Sequence, residues 1–221
     1  MLTLVFALPA LAQSGEHVIV SGGVSLNQWE KFKAEPHDKW WLNFVRAARI
    51  RIAQLKESDP NTPITWLVYQ PAYRRRMAEE SIDAFGIINS VRDAYGVRLI
   101  YFNKGSDIVD YINQGQPRDR LKIATFEFFG HSNKACFMFD YSNEIDSGSK
   151  AWLHENELTR IRRGVFAPGA TVKSWGCHTG ESMSKKWYQA TGVRMDGAIG
   201  KTQYLTHDLP ALSSVGGRWA R

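Results

Sequence analysis

The sequence predicts a single α/β domain, a mainly parallel sheet of about six strands flanked by helices. Three observations predict it. Short apolar runs alternate with longer stretches whose apolar residues recur every three or four positions, the pattern that strand–helix–strand units produce. One run, Leu121 to Phe129, is mostly apolar on both of its alternating faces, as befits a parallel strand covered on both sides. The chain of 221 residues shows no internal repeat, linker or low-complexity segment, so its right-handed crossovers should build one sheet.

Taken in order, His17 to Ser21 is a buried first strand ended by Gly22-Gly23. Trp41, Phe44, Ala48, Ile52 and Leu55 mark one face of a helix running from about Asp38 to Glu57, with Arg46, Arg49 and Lys56 off that face. Pro60-Asn61-Thr62-Pro63 is a break, and Ile64 to Tyr69 a second strand. Ile82, Phe85, Ile88 and Val91 support one long helix from Met77 to Tyr95, closed by Gly96. Val97 to Phe102 is a third strand, and Ser106 N-caps a short helix to Asn113. Leu121 to Phe129 is the fourth strand and ends in Gly130-His131-Ser132-Asn133. Ala135 to Phe139 reads as a short extra strand, Asn156 to Arg163 as helix and Pro168-Gly169 as a turn. Thr171 to Trp175 is a strand ending in Gly176-Cys177. Glu181 to Ala190 is a helix closed by Gly192, and Val193 to Ile199 is the last clear strand. Leu209 to Arg221 carries no clear pattern.

A composition of 43% hydrophobic and 12% aromatic residues excludes disordered and fibrous classes. The net charge of +6 and pI of about 9.3 suit an anionic partner or simple solubility. Arg74-Arg75-Arg76 stands at a loop-to-helix start beside Tyr73, and Arg160, Arg162 and Arg163 on a short helix. Trp40 and Trp41 lie around a core-facing stripe, so these arginines read as solvated surface, and nucleic acid is not the expected partner.

Residues 1–12 read as a signal peptide, cut short at its N-terminal end. Leu2 to Leu8 is apolar, Ala10-Leu11-Ala12 is a small-x-small cleavage site, and the positive n-region is missing. The domain is then 13–221 and the protein is exported, periplasmic or extracellular. The competing reading is a buried strand. The run is too short to span a bilayer, which takes about 20 apolar residues, and no other stretch would span one. Cys136 and Cys177 are too few for a disulfide framework. Export would let them pair, but a bridge would consume the best nucleophile, so two free thiols are expected.

Ligands of open parallel sheets bind beyond the carboxyl ends of the strands. His131 and Cys177 both stand just past such ends, after IATFEFFG and TVKSWG. A helix beginning near Thr179 would put positive partial charge and N–H groups beside Cys177, favouring the thiolate and a developing oxyanion. His131 would then act as general base and acid.

A strand followed by His, and a later strand followed by Gly-Cys, resembles the caspase-like cysteine peptidases: caspases, legumains, gingipains, separases and the bacterial CHAT domains. The two residues are 46 apart, near the roughly 50 of a caspase-type pair. The resemblance covers mainly Lys122 to Ile199. It implies a three-layer sandwich, a polypeptide substrate, His131 as base and Cys177 as nucleophile. It also implies an oxyanion site from backbone N–H groups near Ser132 and Cys177. Gly130, Gly176 and His178 are accessory candidates, and no cofactor or metal is expected. One departure stands out. The family places Gly directly after the His, whereas here Ser132 follows it and Gly130 precedes it. Ser132 favours a second reading, a binding or scaffold domain of the same fold that has lost catalysis. A basic nucleic-acid-binding domain is a third.

Other residues offer less. Glu127 is four strand residues from His131, about 13 Å, too far to orient it, and reads as facing a polar pocket or pairing with an Arg. His178, next to Cys177, is an alternative base, and Glu181 a partner for the helix dipole. Cys177 with His131, His178 or His207 lacks zinc-ligand spacing. A triad of Cys177, His207 and Asp208 lacks a glutaminase-type elbow. Met183 stands where a phosphatase loop needs Arg. No G-x-S-x-G, P-loop or G-x-G-x-x-G follows a strand.

Overall fold

Alternate residues of the central strands feed two separate cores, which makes this a sheet covered on both faces. In the computed structural model, which describes residues 15–24, 42–140 and 151–220, β1 (Glu16–Ser21), β2 (Ile64–Tyr69), β3 (Arg98–Phe102), β4 (Ile123–Phe129), β8 (Phe166–Ser174), β9 (Met195–Ile199) and β12 (Arg218–Ala220) form one sheet. Its order is β12-β9-β8-β4-β1-β2-β3, parallel throughout except for β12 against β9. Val18, Val20, Phe126, Phe128 and Met195 enter one core with α4 (Gly105–Gln114) and α5 (Met183–Thr191), through Ile108, Ile112 and Trp187. Ile19, Trp66, Val68 and Phe129 enter the other with α1 (Asn43–Ser58) and α3 (Ala84–Tyr95), through Phe44, Ala48, Ile52 and Ile88. Each of the Val, Ile, Phe and Met side chains among these contributes about 1.5–3 kcal/mol on burial. A second, antiparallel sheet, β5 (His131–Ser132), β6 (Cys136–Asp140) and β7 (Ala151–His154), follows β4, and β10 (Thr202–Gln203) pairs with β11 (Ala211–Leu212).

The α/β class and the flanked parallel sheet are as expected. The seventh strand is β12, which lies in the stretch that shows no pattern in the sequence. The helix expected over Met77–Tyr95 is two helices, α2 (Gln70–Glu80) and α3, because Ser81 turns left-handed at φ 52° and Asp83 caps the second by accepting the Gly86 N–H at 2.8 Å. Arg74, Arg75 and Arg76 therefore lie inside α2 and are not all solvated. Arg76 is 2% exposed with Nη1 2.8 Å from Glu80, and Arg75 reaches Asp140 at 2.9 Å. Ser106 lies within α4. The carboxylate at that helix start is Asp107, which accepts the N–H groups of Asn103 and Lys104. The segment near Asn156–Arg163 is a 3-10 helix, Glu155–Arg160. Pro168-Gly169 sits inside β8, where the register skips between Ile123↔Phe166 and Thr125↔Thr171 and Gly169 takes φ 75°. Residues 1–12 and the expected start of the first helix, 38–41, lie outside the described residues. Among the described residues no helix is long and apolar enough to cross a membrane.

Candidate functional site

Chain connections leave β1 in opposite directions, toward β2 and β3 on one side and toward β4, β8 and β9 on the other. Such a switch point is where open α/β sheets usually form their ligand crevice. Here the second sheet comes up against the exit of β1. The Gly23 N–H donates to the Phe139 carbonyl at 2.8 Å, and a Cβ on Gly23 would fall 2.3 Å from that oxygen and from Ala72 Cβ. The neighbouring pair of strand ends, β4 and β8, carries the two residues singled out in the sequence.

These strands run parallel with Phe128 opposite Ser174, and the Trp175 N–H extends the ladder to the Phe128 carbonyl at 2.9 Å. Gly130 and Gly176 then let the two exits approach. A Cβ on Gly176 would meet Ser132 Oγ at 2.1 Å and the Gly130 oxygen at 2.9 Å. The Ser132 hydroxyl donates to the Cys177 carbonyl at 2.7 Å. The His131 and Cys177 loops are thus hydrogen-bonded to each other. Ser132 turns its side chain onto the cysteine loop, which is what the residue type at this position does in this chain.

His131, half-buried, stands edge-on to Phe44 with ring centroids 5.1 Å apart, and Phe44 packs on Tyr204 at 4.8 Å. The Tyr204 hydroxyl accepts the Gly130 N–H at 2.8 Å. Cys177, also half-buried, accepts the Thr202 N–H on its sulfur at 3.4 Å. The Thr202 hydroxyl lies 3.7 Å from Sγ and donates to the Trp175 carbonyl at 2.8 Å. Thr202 and Tyr204 have no signature in the sequence, and Phe44 reads there simply as core.

The helix expected beneath the thiol is displaced. Its first residue is Met183, and Cys177 to Ser182 form turns that separate the cysteine from α5 in the chain. Thr179 is a buried turn residue and not the cap. Glu181 precedes the helix and accepts from the Gly200 N–H at 3.2 Å. Its oxygen is 2.6 Å from His178 Nδ1, and this hydrogen bond holds the Glu181 carboxyl below its usual range. His178 takes a left-handed φ of 63° and turns its ring to Glu181.

Glu127 pairs with an arginine, as the sequence suggests. Its oxygens take Arg51 Nε at 2.5 Å and Trp175 Nε1 at 2.8 Å, anchoring the residue that leads into Gly176-Cys177. Cys136 and Cys177 are both free thiols. Burial first, then Glu155 and Glu157, push the Cys136 thiol up to about 11. His207 and Asp208 are exposed, and Asp208 accepts the Leu209 N–H. Among the described residues no three His, Cys, Asp or Glu side chains gather as a metal site.

No protein-family model, curated protein or solved structure matches this chain.

Proposed function

We propose that this protein is a cysteine-dependent hydrolase of caspase-like type, a peptidase in which Cys177 is the nucleophile and His131 the base. His131 takes the thiol proton, and the sulfur attacks the scissile carbonyl carbon. The oxyanion is held by backbone N–H groups near Ser132 and Cys177. Collapse breaks the C–N bond, His131 returns the proton to the leaving amine, and water then releases the acyl group. What supports this most is the junction of the two loops, the Ser132 hydroxyl on the Cys177 carbonyl at 2.7 Å.

The test uses a fluorogenic peptide library together with iodoacetamide. Cys177→Ala should abolish hydrolysis, and His131→Ala should lower it by about a hundredfold or more. Cys177 should alkylate faster than Cys136, whose buried thiol is pushed up to about 11. Equal reactivity of the two thiols, with no effect of His131→Ala, would sink the peptidase.

A catalytically silent binding domain is the second reading. It is favoured by Ser132, which stands where the caspase-like pattern has Gly and whose hydroxyl is bound to the Cys177 carbonyl at 2.7 Å. A nucleic-acid surface draws no such support. Arg75 and Arg76 are paired with acids, and Arg163 donates to the Ala190 and Gln189 carbonyls.

A further inference from the structure

We infer that Thr202 is the positioning residue of the Cys177 sulfur: its hydroxyl, fixed on the Trp175 carbonyl, holds its own backbone N–H against Sγ. The inference rests on Cys177 being the reactive group. Three hydrogen bonds clamp the segment from Trp175 to His178 around it. Thr202 Oγ1 donates to the Trp175 carbonyl at 2.8 Å, Ser132 Oγ to the Cys177 carbonyl at 2.7 Å, and the His178 N–H to the Gly200 carbonyl at 2.8 Å. A fourth runs from the Thr202 N–H to the sulfur itself at 3.4 Å.

The direction of that fourth bond matters. An N–H donor meets a sulfur anion more favourably than a neutral thiol, because hydrogen bonds to charged groups are stronger. The helix expected next to the thiol, α5, begins only at Met183. The donor comes instead from β10, whose strand is held by pairing with β11 through Thr202↔Leu212. The hydroxyl sets where this donor lies, because it ties residue 202 to residue 175, two positions before the cysteine. The neighbouring titratable side chains are those of His131, His178 and Glu181, and a substitution at residue 202 replaces none of them.

The test is the rate of iodoacetamide alkylation of the full-length protein in a Cys136→Ser background. Thr202→Val removes the hydroxyl and keeps the backbone N–H, whereas Thr202→Ser keeps both. Thr202→Val should slow alkylation about tenfold at about pH 6, the size of one hydrogen bond to a charged group, and leave it within about twofold at about pH 9.5, where most thiols ionise unaided. Thr202→Ser should match the parent at both values. Thr202→Ala repeats the loss with less bulk and serves if the valine variant does not fold. A Thr202→Ala or Thr202→Val rate equal to the parent at the low pH would overturn the inference, as would equal slowing at both values. Hydrolysis and its His131 dependence, measured alongside, belong to the peptidase reading alone. That reading can therefore fail or stand independently of Thr202.

Discussion

At the scale of single residues, the meeting of the two loops depends on an absent side chain. A Cβ on Gly176 would stand 2.1 Å from Ser132 Oγ, 2.9 Å from Ser132 Cβ and 2.9 Å from the Gly130 carbonyl. The hydroxyl can rotate away at the cost of its bond to Cys177, but the Gly130 oxygen belongs to the backbone. Gly176→Ala should therefore destabilise the fold by about 1–3 kcal/mol, the usual penalty of overpacking, measured by urea unfolding. Ser132→Ala combined with Gly176→Ala should recover only part of this, because the backbone contact remains. Complete recovery, or no loss at all, would show that the loops do not meet this way. His131 and Cys177 are legible in the sequence because each follows an apolar run and a glycine, a local pattern. Thr202 is not, because its bonds join it to Trp175 and Cys177 across 27 and 25 residues, from a strand of two residues. Ser132 is legible as a departure, but the direction of its hydroxyl is set by a partner 45 residues away.

At the scale of elements, the opposite end of the sheet is joined by a buried carboxylate. Glu16, at the start of β1, is 0% exposed and accepts from Arg118 Nη1 at 2.6 Å, from the Thr65 hydroxyl of β2 at 2.6 Å and from the Tyr111 hydroxyl of α4. Burial, reinforced by Glu16, pushes the Tyr111 phenol up to about 12. Arg118 also donates to the Ile112 and Tyr111 carbonyls, so one guanidinium ties the end of α4 to the first strand. Removing it leaves a buried charge without its counter-ion. Arg118→Met should cost about 3–5 kcal/mol by chemical unfolding, and Arg118→Met with Glu16→Gln should cost less than Arg118→Met alone. An additive double variant would mean that the two side chains do not act as a pair. Most elements show in the sequence because their apolar spacing is local. The break between α2 and α3 does not, because Ile82, which lies within it, keeps the helical spacing of Phe85, Ile88 and Val91. The capping carboxylate of Asp83 was the local sign of the break, with Pro71 marking the true start of α2.

At the scale of the whole molecule, the parallel sheet follows from alternating strands and helices, but its order does not, nor does the use of three residues near the end of the chain as an antiparallel edge. Pairing order depends on contacts that no local window contains, and this order makes β1 an interior strand, between β2 and β4. A proton taken up on β1 should therefore be felt by global unfolding. His17 has Nδ1 2.8 Å from Thr125 Oγ1 on β4. Burial first, then the nearby Arg51 charge, hold its imidazole below the ordinary 6.5, outweighing the opposing pull of Glu127. The unfolded chain accordingly takes this proton at a higher pH than the folded one. Between the depressed folded value and 6.5 the unfolded state binds more protons, so stability must fall as pH falls through that window and is complete only above it. Carboxylates that also titrate there are common to the wild type and a His17→Gln variant and cancel in the difference. Urea midpoints taken from about pH 7 to about pH 5 should drop more steeply for the wild type than for His17→Gln, since only the wild type has an imidazole to protonate in that range. Parallel curves, or a wild type that gains stability on acidification relative to the variant, would mean that His17 is as accessible to protons in the folded protein as in the unfolded chain. The sheet would then not be closed around it.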